Sequence, residues 1–314
     1  CAALLLEGAS AGWSIIAALI VFSVARGLTS VASKDVLGKT VEKNKRGRVT
    51  GWSSSASGLI TIGIAICTLF FFEGLEGNSS FYILGIVSAT LIWLIAGLIY
   101  SFVQEPKSEI GDKSTKLRDV FKELGLLKTD SVFRQFVIAR SLFLCAALSA
   151  PYYVLIAQQR SENGVFILGL FIMASGLASL LSSPFWGLFS DFSSRKVMVS
   201  ASLLSAIIGV ALFVTVEFFP SASFTTLLIV ILYFALNVAH QGVRIGRKTY
   251  LVNLGEGNKR TSYVSVSNTI IGFILLAMSS ISLLTYSISL ASLVLVFSII
   301  TLVGSYMAIC LPEV

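Results

Sequence analysis

The sequence predicts an all-α polytopic membrane protein with about nine complete transmembrane helices, and three observations carry that prediction. Hydrophobic residues fill 55% of the 314 positions and charged residues only 12%, with a mean hydropathy of +0.88, whereas soluble domains carry roughly a quarter charged residues. The apolar residues fall in runs close to the length, about 20 residues, that an α-helix needs to cross a hydrocarbon core of roughly 30 Å. Lysine and arginine collect in alternate gaps between the runs. Backbone groups in lipid have to be satisfied within each segment, so runs of this kind are helices.

The segments lie near 11–33, 50–72, 80–103, 132–157, 164–190, 196–218, 224–248, 261–285 and 288–311. The first carries Arg26 and the second opens on the serine run SSSASG. The third is apolar nearly all round, as are the sixth and the ninth, which suits helices facing lipid. The fourth holds Arg140, Pro151, Tyr152 and Tyr153; Pro151 removes a backbone hydrogen bond and is expected to kink it. Gly169, Gly176 and Gly187 give the fifth a small-residue surface for close packing. The seventh contains NVAHQG, with Asn237, His240 and Gln241, and the eighth opens on SVSNT. Residues 1–6 look like the tail of another apolar helix, without an initiator methionine or the basic flank of a signal peptide, so the chain is expected to begin within a longer protein.

Basic residues prefer cytoplasmic loops. Lys34, Lys39, Lys43, Lys45, Arg46 and Arg48 follow the first segment, and Lys107, Lys113, Lys116, Arg118, Lys122, Lys128 and Arg134 follow the third. Arg195 and Lys196 come two helices later, then Arg244, Arg247, Lys248, Lys259 and Arg260. The intervening loops hold Glu73, Glu76, Arg160, Glu162 and Glu217. Nine crossings with a cytoplasmic C-terminus, in a plasma or inner membrane, fit this alternation. The net charge of +7 is therefore membrane topology, not a nucleic-acid surface, which needs basic residues clustered on a polar face. Cys1, Cys67, Cys145 and Cys310 lie in or beside apolar runs, without metal-ligand or disulfide-framework spacing. Asn78-Ser79-Ser80 fits a glycosylation sequon, in a loop short enough for the match to be chance.

The long break at 104–130 divides three crossings from six. Within it Leu117, Val120, Phe121, Leu124 and Leu127 recur at helical spacing, as in an amphipathic helix at the membrane surface. The division is 1–103, a 104–131 linker, and 132–314. Across it the chain repeats: Asn44-Lys45-Arg46 recurs 214 residues later as Asn258-Lys259-Arg260, and the same offset relates Lys34 to Lys248 and Gly58 to Gly272. Repeated halves about an axis along the membrane normal are a transporter architecture.

Between the fifth and sixth segments the chain reads Gly187-Leu188-Phe189-Ser190-Asp191-Phe192-Ser193-Ser194-Arg195-Lys196. This stretch resembles the loop signature of the major facilitator superfamily, a glycine, an aspartate four residues later and a basic pair joining two helices. It departs from the pattern at Phe192, where a basic residue is usual, and at Ser194, where glycine is usual. The resemblance extends over the whole chain and implies two six-helix bundles, of which the nine segments would be helices four to twelve, with residues 1–6 the end of the third. It also implies a gating loop of Gly187, Asp191, Arg195 and Lys196, with Asp191 latching onto the N-terminal end of the helix starting near Gly51, beside Arg48, in one of two access states. Physically, Gly187 permits close helix approach, Asp191 is expected just before a helix N-terminus, and Arg195 and Lys196 are within reach of headgroups or acidic partners.

Ionisable groups within a membrane are costly unless paired or hydrated, so each is a functional lead. Arg26 and His240 differ by the repeat offset; Arg26 either snorkels or closes a gate, or meets substrate. His240, with Asn237 and Gln241, is either a polar cavity wall or a satisfied buried histidine, and Arg140 either structural or a ligand. Tyr152 and Tyr153 belong to the cavity or to an interfacial aromatic belt. No carboxylate lies in the middle of any segment, and the second lacks the glycine-proline pattern of the family's antiporters, which removes support for proton-linked drug export. There is no phosphate-binding glycine-lysine loop, and no nucleophile or carboxylate sits in sequence by the single histidine.

These features point to a secondary active or facilitative transporter of a small polar or anionic solute working by alternating access. It would be a monomer in membrane lipid, with a small-molecule substrate, a coupling ion where transport is active, and no cofactor, metal or nucleic acid. A polytopic membrane enzyme or a lipid-handling protein is the alternative.

Overall fold

The computed structural model describes residues 8–71, 79–106, 123–161, 164–219, 224–255, 259–279 and 288–314. Its elements are helices: α1 (Gly8–Thr40), α2 (Arg46–Phe71), α3 (Ser79–Ser101), the single turn α4 (Leu126–Thr129), α5 (Ser131–Leu142), α6 (Leu144–Gln158), α7 (Gly164–Phe192), α8 (Ser194–Phe218), α9 (Thr225–Leu254), α10 (Lys259–Ser279) and α11 (Leu290–Ile309), with a 3-10 turn at Lys43–Lys45. Eight spans among them, with α5 and α6 joined as Ser131–Gln158, are long and apolar enough to cross a membrane; in α3 the described apolar stretch is the shorter Gly85–Ser101. The protein is therefore an all-α polytopic membrane protein.

Two helices overrun their expected ends. The periodic apolar pattern places the first near 33 and the seventh near 248, but α1 continues through Lys34 and Lys39 to Thr40, and α9 to Leu254. Helical hydrogen bonding has no reason to stop at the hydrocarbon edge, and long basic side chains reach polar surroundings from within a helix. In the fourth segment the interruption falls at Phe143, between α5 and α6, while Pro151 lies inside α6. Asp130 starts α5, its carboxylate accepting from the Phe133 N–H at 2.9 Å and from the Tyr263 hydroxyl of α10. Of the amphipathic stretch, Leu124 and Leu127 pack against the core beside α5; Leu117, Val120, Phe121 and also Asn78 lie outside the described residues. Cys67, Cys145 and Cys310 are free thiols.

Because lipid tails are as apolar as leucine, helix association here depends on close packing and hydrogen bonds. The most extensive contact is between α2 and α7. A Cβ on Gly51 would lie 2.4 Å from the Ser183 carbonyl, and one on Gly58 2.7 Å from the Gly176 carbonyl. Pro184 leaves the Leu180 carbonyl without its helical N–H donor, and the Ser55 hydroxyl of α2 donates to it at 2.7 Å. Ser179 returns a hydrogen bond to the Ser54 carbonyl at 2.8 Å. Elsewhere α8 packs on α9 and α11, and α7 on α9. Phe133, Phe136 and Tyr250 are buried in one cluster and Tyr153, Phe171 and Leu236 in another.

Candidate functional site

A cavity of about 520 Å³ opens between α1, α5, α6 and α9. Helix α1 supplies Arg26, Ser30 and Lys34, four residues apart and so on one face. Helix α9 supplies His240, Arg244, Arg247, Lys248 and Leu251, again one helical face, and Arg140 and Ala147 complete the lining. Ala147 stands four residues before Pro151, so its carbonyl lacks the usual helical donor.

Arg140 is the anchored member. It is buried, with 9% of its surface exposed, and reaches across to α10, donating from Nη1 to the Ser267 hydroxyl and from Nη2 to Asn268 Oδ1 at 3.0 Å. Asn268 donates to Ser30 Oγ at 3.2 Å, and Lys34 Nζ donates to the same oxygen at 2.8 Å. This chain ties α1, α5 and α10 together, yet Nε of Arg140 and Nδ1 of His240 are buried without a partner. No carboxylate among the described residues lines the cavity. Among the described residues, Arg26, Lys34, Arg140, Arg244, Arg247 and Lys248 take part in none of the ion pairs, which join Lys39, Lys45, Arg48, Arg195 and Arg260 to acids elsewhere. Like charges roughly 8 Å apart repel by about 2 kcal/mol in partly hydrated surroundings. An anion entering this space relieves that repulsion and accepts charge-assisted hydrogen bonds.

A second cavity of about 260 Å³ shares Arg244 and Lys248 and is otherwise lined by Thr50, Ser53, Ser54, Ser57, Ser179 and Ile245. The serine run at the start of α2 thus has two uses. Ser55 packs against α7, whereas Ser53 and Ser57 present hydroxyls beside the cations.

The loop after α7 holds a different arrangement. Asp191 lies in the last turn of α7, three residues before α8 begins, and it is Ser193 that caps α8, accepting from the Lys196 N–H at 3.1 Å. The Asp191 carboxylate meets the N-terminus of α2. It accepts from the Gly47 N–H at 2.6 Å and the Arg48 N–H at 3.1 Å, with Arg48 Nε 3.8 Å away. A carboxylate there satisfies orphan amides and opposes the positive end of the α2 dipole. Gly187 makes the approach feasible, since a Cβ on it would lie 2.6 Å from the Gly47 carbonyl oxygen. Arg195 serves α11: it donates to the Leu311 carbonyl at 2.8 Å and pairs with Glu313 at 2.8 Å. Lys196 is exposed, and so is Phe192, at 86%.

Of the residues singled out from sequence, Arg26, Arg140 and His240 line one cavity. Tyr152 and Tyr153 do not; they pack into apolar clusters, Tyr152 against Phe297 and Tyr153 against Tyr233, because the helical turn at Pro151 faces α9 and α11. Asn237 donates to the Tyr233 carbonyl at 2.9 Å, and Gln241 is buried and not among the residues that line the cavity. Lys34, Arg244, Arg247 and Lys248 were counted as topology signals and missed as cavity residues. The signal was present: 240, 244, 247, 248 and 251 are at helical spacing.

The family model described as the Major Facilitator Superfamily matches residues 1–173, just over half of the chain. No curated protein matches it. The matched stretch contains α1 to α6 and the start of α7, so the Asp191 loop lies beyond it. With that match and an all-helical membrane fold, the chain belongs to the major facilitator superfamily and is a membrane transporter.

Proposed function

We propose that the protein moves a small anionic solute across a cell membrane by alternating access. The observation that carries this is the cavity in which six cationic side chains, with His240, face one another without a carboxylate among them. In a membrane such a set is costly unless something of opposite charge visits it. Residues 1–103 and 132–314 act as the two rocking units, joined by the 104–131 stretch, and the protein works as a monomer.

Several contacts support a gate at the end of the bundle carrying the basic loops. Asp191 holds the start of α2, Arg46 of α2 donates to Asn253 of α9 at 2.8 Å, and Arg260 of α10 stands 3.8 Å from Asp35 of α1. By the preference of basic loops for the inside, that end and the C-terminus face the cytoplasm, and this conformation is closed there. Gly187, Asp191 and Arg48 form the latch, and Arg195 steadies α11 beside it. The small-residue seam between α2 and α7 is the surface on which one unit turns against the other.

The test is uptake and counterflow of labelled solutes by the full-length protein in proteoliposomes, with anionic, neutral and cationic solutes in parallel. Movement of anions that is lost in Arg140→Gln is expected. A panel in which only neutral or cationic solutes move would overturn the anion reading.

A further inference from the structure

The cavity contains more positive charge than a single monovalent anion answers. Arg140 uses both terminal nitrogens on α10 and leaves Nε unpartnered, and the buried Nδ1 of His240 is unpartnered too. Lys34, Arg247 and Lys248 are half-buried, and Arg26 and Arg244 are exposed at its walls.

We propose that the occupant is an oxyanion carrying two or more negative charges, and that the protein is an exchanger in which only the anion-loaded form passes readily between the two access states. This rests on the cavity being the transport site. When a site closes, water leaves, the local dielectric falls and repulsion among fixed like charges grows. A multivalent oxyanion between α1, α5 and α9 turns that repulsion into attraction and takes short charge-assisted hydrogen bonds from the guanidinium groups. Without it, the same side chains converge with nothing between them, and α1 and α9 resist approach. A ligand biases a conformational equilibrium only by its differential interaction with the states; here the anion's stabilisation is largest where the cavity is tightest. The hydroxyls of Thr50, Ser53 and Ser57, adjoining Arg244 and Lys248, give a hydroxyl-bearing body on the anion somewhere to bind.

A phosphate group fits this chemistry whether it comes from a dissolved solute or from a lipid headgroup, so the experiment separates them. The full-length protein is reconstituted in phosphatidylcholine vesicles loaded with labelled inorganic phosphate, glycerol 3-phosphate or succinate. Efflux is then followed into buffered sucrose with or without the same unlabelled anion. The expected result is efflux about tenfold or more faster with external anion, the change that follows when one close like-charge repulsion is removed from the barrier. That acceleration is lost in Arg140→Gln and in Arg247→Gln, while Lys128→Gln, on an exposed side chain outside the cavity, keeps it. Equal efflux in both media overturns exchange but leaves anion transport standing. Movement of none of the probes overturns both. Inhibition by added phosphatidylglycerol at matched ionic strength, relieved by Arg247→Gln, assigns the cavity to a lipid headgroup and overturns the proposal.

Discussion

Arg46 and Arg260, 214 residues apart, make the same connection in two places. Arg46 donates to the carbonyls of Gly38 (2.7 Å) and Val41 (3.1 Å) at the end of α1. Arg260 donates to those of Val252 (3.3 Å) and Gly255 (3.2 Å) at the end of α9, again 214 residues further on. Each closes orphan carbonyls at a helix C-terminus, where positive charge is also favoured by the dipole. Each then reaches a helix from the other side of the 104–130 break, Arg46 to Asn253 and Arg260 to Asp35.

Removing either guanidinium leaves buried carbonyls unpaired, so Arg46→Ala and Arg260→Ala should each destabilise by about 3 kcal/mol. Thermal unfolding in detergent reads this directly. Lysine at either place should recover only part, because it lacks the planar fork. A wild-type melting temperature for either alanine variant would contradict the capping role.

For the latch, Asp191→Asn removes the charge that holds two amides of α2. The conformation open at the basic end should gain about tenfold in population, the equivalent of one charge-assisted hydrogen bond weakened by about 1.4 kcal/mol. A cysteine placed at Ser53, in the second cavity, and labelled by an impermeant maleimide from either side reports the shift. Identical labelling in the parent and the variant would sink the idea.

The seam between α2 and α7 predicts a contrast between glycines. A methyl at Gly187 would meet backbone, the Gly47 carbonyl oxygen at 2.6 Å and Gly51 Cα at 3.0 Å, and backbone cannot swing aside. Gly187→Ala should cost about 2 kcal/mol or more and slow transport. At Gly63 nothing lies within 4 Å, so Gly63→Ala should be neutral or stabilising by up to about 1 kcal/mol. Equal melting temperatures for the two variants would refute the close-packed seam.

Asp130 sets an acid limit. Burial works against its charge, but hydrogen bonds from the Phe133 and Val132 amides and the Tyr263 hydroxyl outweigh it and hold the carboxyl below its ordinary value of 3.8. A carboxylate depressed on folding adds stability above its unfolded value and loses it as pH falls through the folded one. Asp130→Asn should therefore lower the melting temperature at pH 7 and narrow its difference from the parent below about pH 4. A constant difference across that range would show that the charge is not what matters.

Much of the fold was legible because a membrane imposes one requirement on every segment: enough apolar residues to span it, with backbone bonds made internally. That requirement produced the helices in their order; the alternation of basic loops and the recurrence of Asn-Lys-Arg are likewise one-dimensional properties of the chain. Helix ends were less legible. Lys34 read as loop because charge marks the edge of lipid, yet charge does not break a helix, and α1 runs on through it to Thr40. That Asp191 meets the start of the helix carrying Arg48 and Gly51 was legible through the family resemblance; that it closes α7 while Ser193 caps α8 was not, since a cap depends on the local path of the backbone. The cavity was decided almost wholly by tertiary structure. Arg26, Arg140 and Arg247 are scattered over more than two hundred residues, and only the packing of α1, α5 and α9 makes them neighbours. Tyr152 and Tyr153, equally plausible in the sequence, turned into the core instead, because the direction a side chain takes is set by the helices packed around its own.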